Sequence, residues 1–99
     1  LYCMDLVVTD AAANWFIEEV GLKEGDSVKF HGRYGGIDPV QFGFSLMFTR
    51  NEPIRAVASV KNSGILLFIE ENDLWFFDGH DLHVDYNEKL DELSYTYVK

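Results

Sequence analysis

The stretch Lys29 to Thr49, KFHGRYGGIDPVQFGFSLMFT, constrains the fold more than any other part of the chain. Val28, Phe30 and Tyr34 fall on one parity, and Lys29, His31 and Arg33 on the other. Past the glycines, Phe42, Phe44, Leu46 and Phe48 share a parity against Gln41, Gly43, Ser45 and Met47. A period of two with a fixed apolar side is the pattern of half-buried strands. Gly35 and Gly36 permit positive φ and Asp38-Pro39 favours a turn, so the stretch predicts two strands joined by a glycine-rich loop.

The rest of the chain supplies a core for these strands. Its 99 residues suit one domain, read as residues 4–99. Eight Phe, five Tyr and two Trp argue against disorder. Asp5–Val8 is a short strand candidate, and Thr9 and Asp10 offer capping oxygens to a helix from Ala11 to about Val20. Ala12, Ala13, Phe16, Ile17 and Val20 form its apolar face, with Trp15 off centre, and Gly21 is its stop. Ile54 to Val60 is a weaker strand. Asn62-Ser63-Gly64 turns into Ile65–Ile69, whose unbroken apolar run suits a central strand covered on both faces. In Glu70 to Gly79 the pattern predicts one short helix or turn, with Trp75, Phe76 and Phe77 plugging an end of the core. Leu82, Val84 and Tyr86 alternate in one strand, and Leu93, Tyr95 and Tyr97 in the last. The sum is an α+β, mostly β domain: a pseudo-barrel or sandwich of six or seven short strands with one main helix and one short helix.

Charge and cysteine content narrow the function classes. A net charge of −9 argues against nucleic acid, whose binders neutralise phosphates. The longest apolar run is far short of the ~20 residues that span a bilayer. No basic start precedes a long apolar block, so the cytoplasm is the expected location. The acids are uneven: Glu70 to Glu92 holds nine carboxylates and one base, whereas Lys29 to Lys61 holds five bases and two acids. One reading is a solvated acidic surface. The other is a two-signed surface that steers a basic protein or a second copy of the chain, making a homodimer. Cys3 is the only cysteine, which excludes an internal disulfide and a multi-thiolate site in one chain. Residues 1–3 read as an added scar or frayed end before Met4.

The order of motifs resembles the HesB-like, or A-type iron–sulfur carrier, superfamily. The matching pieces are VVTDAAANWF, VKFHGRYGG, FGFSLMF, GILLFIEENDLWFFDGHDLHVDY and LSYTY, running from Val7 to Tyr97. The resemblance implies a compact β pseudo-barrel and a link to iron–sulfur cluster assembly and its proteins. It also implies three ligand cysteines, one in the loop at Gly35–Asp38 and two in a Cys-Gly-Cys tail. This sequence has neither. The expectation is a cysteine-lacking, non-catalytic relative that carries no cofactor and has a binding or regulatory role near cluster assembly. The alternative is a small acidic protein-interaction module unrelated to clusters.

No complete catalytic or metal-binding set stands out. His80 and His83 lie among Asp78, Asp81 and Asp85, yet along a strand they would point to opposite faces. Asp85-Tyr86-Asn87 begins like a calcium loop, but Leu90 stands where glycine is needed. Ser45 and His31 could be drawn with an acid as a triad, but Ser45 lacks the Gly-x-Ser-x-Gly elbow. Binding is assigned instead to Arg33, Tyr34, Gly35 and Gly36. An arginine beside glycines suits an anion or a partner's carboxylate, and an ordinary hairpin turn with a solvated Arg is the plainer reading.

Overall fold

A computed structural model describes residues 4–37 and 42–99, without the side chains of Ile37 and Phe42. The readings placed on Leu1–Cys3, on the Asp38-Pro39 turn and on the Phe42 side chain lie outside the described residues. The class is the expected one, α+β with strands dominant. Among the described residues there are seven strands: β1 (Leu6–Val8), β2 (Ser27–Ile37), β3 (Phe42–Arg50), β4 (Ala56–Asn62), β5 (Ile65–Glu70), β6 (Asp81–Asn87) and β7 (Glu92–Val98). Helix α1 (Asp10–Trp15) widens into a π-helical turn over Phe16–Val20, and α2 is Leu74–Phe77. One sheet has the order β1-β6-β7 and the other β3-β2-β5-β4. β1 runs parallel to β6 and β2 parallel to β5; the remaining pairs are antiparallel.

The core forms where apolar faces of both sheets meet α1 and α2. Leu6, Val8, Leu82 and Val84 come from one sheet, and Val28, Phe30, Leu67 and Ile69 from the other. Ala12, Ala13, Phe16, Phe76 and Phe77 close it. The capping residue of α1 is Thr9: its Oγ1 accepts from Ala12 N–H at 3.2 Å and donates to Asp85 Oδ1 at 2.8 Å. That second bond, with the Tyr86 N–H, holds the Asp85 carboxyl below its usual range. Gly21 ends the helix at φ +81°. Trp15 is half-buried against the core, meeting Phe16 and Phe48 edge-on at 5.3 and 6.0 Å. Ser63 and Gly64 both take positive φ, which a tight two-residue hairpin requires.

β5 is covered as its sequence predicts. Ile65, Leu67 and Ile69 share a parity and join the core, Phe68 of the other parity is also fully buried and Leu66 is half-buried, while β2 and β4 flank the strand within the sheet. β4 starts two residues later than predicted. The Glu70 carboxylate accepts the backbone N–H groups of Ile54 and Arg55, which holds this segment outside the ladder and leaves Ile54 exposed.

Two expectations about the core need correction. Tyr34 shares the parity of Phe30 but is 86% exposed, and Trp75 is 52% exposed while Phe76 and Phe77 are fully buried. The cause is Gly32. A Cβ there would lie 2.2 Å from Phe76 Cδ1, so the Phe76 ring occupies the space above the β2 backbone. The core ends at that ring. β2 runs on beyond it, carrying Tyr34 past the packed body, and Trp75 lies on the outer side of the plug.

Candidate functional site

The projecting end of β2 and β3 holds all four residues assigned to binding from the sequence. Tyr34 pairs with Phe44 and Ile37 with Phe42, so Gly35 and Gly36 together oppose Gly43. That two-against-one arrangement is a β-bulge inside β2, where the sequence predicted a loop. Both bulge glycines take positive φ, at +97° and +91°, which other residues rarely adopt. A Cβ on Gly36 would also stand 3.0 Å from the Ser45 Cβ.

Aromatic rings continue from this bulge onto α2. The Tyr34 ring stacks on Phe44 at 5.3 Å with 9° between planes, and Phe44 meets Trp75 edge-on at 5.1 Å. On the opposite face of the hairpin, Arg33 reaches across to β3, with Nη1 3.9 Å from Met47 Sδ. Three other bases are paired with acids. Lys29 pairs with Asp73 at 3.8 Å, Arg50 with Asp26 at 3.1 Å and Arg55 with Glu71 at 3.5 Å. Much of the positive half of the two-signed surface is therefore neutralised within the fold. Arg33 has no carboxylate partner among the described residues.

The acids gather elsewhere. Glu18, Glu19, Glu88 and Asp91 line a shallow cleft between the end of α1 and the β6–β7 hairpin. Tyr86 lies in it and donates its hydroxyl to Asp91 Oδ1. That bond, partial burial and the nearby carboxylates push the Tyr86 phenol up to about 12. Half-buried Tyr95 is raised to about 12 by loss of solvent alone.

The other sequence candidates do not assemble. Register sets Ser45 opposite Arg33 and His31 opposite Met47, and the His31 ring lies against its neighbour's carbonyl, Gly32 O, at 3.2 Å. His80 turns back onto the carbonyls of Phe77 and Asp78 at the end of α2, while His83 sits in β6 between Val7 and Thr96. Among the described residues, no three metal-ligating side chains converge. Phe44 and Trp75 are the contributors that sequence reasoning missed. Period two marked Phe44 as inward-facing, but only register shows it under Tyr34.

Fold and surface together define a small, strand-rich domain whose exposed features are an aromatic end, an open strand and charge. No protein-family model matches the chain. It is 46% identical over 94 residues to a Bacillus subtilis protein named pyruvate dehydrogenase inhibitor, covering 95% of this chain and 99% of that one. It is 38% identical to an uncharacterised protein of Staphylococcus saprophyticus, over 94% of this chain and 98% of that protein. An uncharacterised Staphylococcus haemolyticus protein is 34% identical, over 97% of this chain and the whole of that protein. The chain belongs to the family these proteins form.

This finding corrects the expected membership of the HesB-like, A-type carrier superfamily and the role near iron–sulfur assembly. A near-full-length relative bears an inhibitor's name instead. The pieces that suggested the carriers are packing devices: DLWFFDG supplies the Phe76–Phe77 plug and a left-handed helix end at Asp78, and FGFSLMF is a strand beside β2. Such devices report how a β domain closes, not what it carries. The expected assembly partners and homodimer gain no support from these relatives. A non-catalytic protein with a protein partner agrees with the inhibitor's name, and no described helix is long and apolar enough to cross a membrane.

Proposed function

We propose that this chain is a non-catalytic regulator that lowers the activity of a pyruvate dehydrogenase by binding to it. The observation that carries this reading is the 46% identity to the B. subtilis inhibitor along essentially all of both chains. The surface supports it, since exposed aromatics beside an arginine with no carboxylate partner among the described residues are the residue types that anchor protein interfaces. The contact face is assigned to Arg33, Tyr34, Gly35 and Gly36, extended by Phe44 and Trp75. Such a target places the protein in the cytoplasm. The test is to titrate the purified protein into B. subtilis pyruvate dehydrogenase complex while following pyruvate oxidation. The rate should fall saturably, and the protein should co-sediment with the complex. An unchanged rate at large excess, with no co-sedimentation, would refute the proposal.

A further inference from the structure

We infer that β3 is a docking edge to which the partner adds an extended segment, one whose carboxylate side chains alternate with aliphatic ones. This deepens the regulatory reading above and rests on it. β3 closes one side of the four-stranded sheet and pairs only with β2 among the described strands. It is nine residues long, and from Gly43 to Thr49 it carries neither charge nor proline. Proteins ordinarily protect such an edge with charge, proline, a bulge or brevity, because its free N–H and C=O groups recruit other strands.

The other edges show those protections. β1 has three residues. β4 is bulged between Ala56 and Ala58, carries Lys61, and is tied to the β1 end by Asn62 Nδ2, which donates to Val8 O and Asp10 Oδ1 at 3.0 Å. β7 opens on Glu92, beside Asp91 and Glu88, and so repels an acidic segment. β3 stands apart, and strand addition is an established way for an extended peptide to bind a sheet.

The chemistry of the guest follows from the two faces. A strand added to β3 would place alternate side chains beside half-buried Phe44, Leu46 and Phe48, where aliphatic groups fit. The intervening side chains would fall on the face of Ser45, Met47 and Thr49. The Arg33 guanidinium already lies over Met47 there and is aimed at the open edge. An arginine in that place favours a carboxylate.

The probe is a synthetic ten-residue peptide alternating Glu and Val, added to isotope-labelled protein while amide exchange is read residue by residue. The expected result is exchange slowed at least tenfold at alternate amides between Gly43 and Thr49. A Lys/Val peptide should leave them unchanged. A Glu/Val peptide N-methylated at every amide should fail to bind, because neither of its edges can then donate to β3. Arg33→Glu, at an exposed site, should weaken the Glu/Val peptide at least tenfold. Equal binding of the acidic and basic peptides, binding that survives methylation, or slowing confined to other strands would each overturn the inference. Inhibition of pyruvate dehydrogenase with β3 amides of the bound protein still exchanging freely would also overturn it, while leaving the regulatory role in place.

Discussion

β5 and β3 look alike as strings of letters, ILLFIE and FGFSLMFTR, yet they are treated oppositely by the fold. β5 lies between β2 and β4, and four of its five apolar side chains, Ile65, Leu67, Phe68 and Ile69, are fully buried. β3 has one neighbour among the described strands; Phe44, Leu46 and Phe48 are half-buried, and ring contacts link Phe44 to exposed Tyr34 and Trp75. The hydrophobic effect scales with area removed from water, so equal apolar content contributes unequally to stability at the two places. What β3 leaves uncovered remains for a partner.

The sharpest way to break this contrast is to truncate a covered side chain of β5. Phe68→Ala in β5 should cost about 3–5 kcal/mol, the range for fully buried phenylalanines, read as a lowered urea midpoint. A loss below about 1 kcal/mol would mean that β5 is not the covered strand. Gly32→Ala comes next. Its Cβ would need the space of the Phe76 ring, so about 1–3 kcal/mol should be lost, with altered near-ultraviolet aromatic signals. Gly36→Ala should cost about 1 kcal/mol through its φ of +91°, and should disturb the Tyr34–Phe44 end without unfolding the body.

Alkaline pH sharpens the same distinction between covered and open positions. The phenols of Tyr95 and Tyr86 are raised in the folded state, so the unfolded chain releases their protons first. Stability is then unaffected below the ordinary phenol value near 10 and falls as pH rises from there through about 12. Tyr95→Phe should flatten that fall in a pH series of thermal melts. The smallest stability effect belongs to Tyr34→Ala, within about 0.5 kcal/mol because the side chain is exposed. The same change should weaken binding to pyruvate dehydrogenase at least tenfold. A large loss of stability with unchanged binding would reverse the roles given to the two ends of β2.

Much of the fold was legible in the letters. The Thr9 cap, the Ala12–Phe16 face, the Gly21 stop, the Ser63-Gly64 turn and the strand at Ile65–Ile69 all follow from local rules. The binding end was legible only in part. Arg33 and the two glycines stood out by type. Tyr34 read as part of an apolar parity and Trp75 as part of a plug, because periodicity ranks faces but does not say where a core stops. The HesB-like resemblance failed similarly, since turns and plugs recur wherever β domains close.

By itself the sequence determined which segments form strands and helices, which faces are apolar and that no thiolate cluster could be built. Those outcomes depend on backbone propensity, side-chain period and residue chemistry, all local. Tertiary structure decided which strand stayed at an edge, that the Phe76 ring would occupy the space over Gly32, and that Lys29, Arg50 and Arg55 would form internal pairs while Arg33 reached over Met47. These outcomes depend on which residues distant in the chain become neighbours, and strand order and register alone set that.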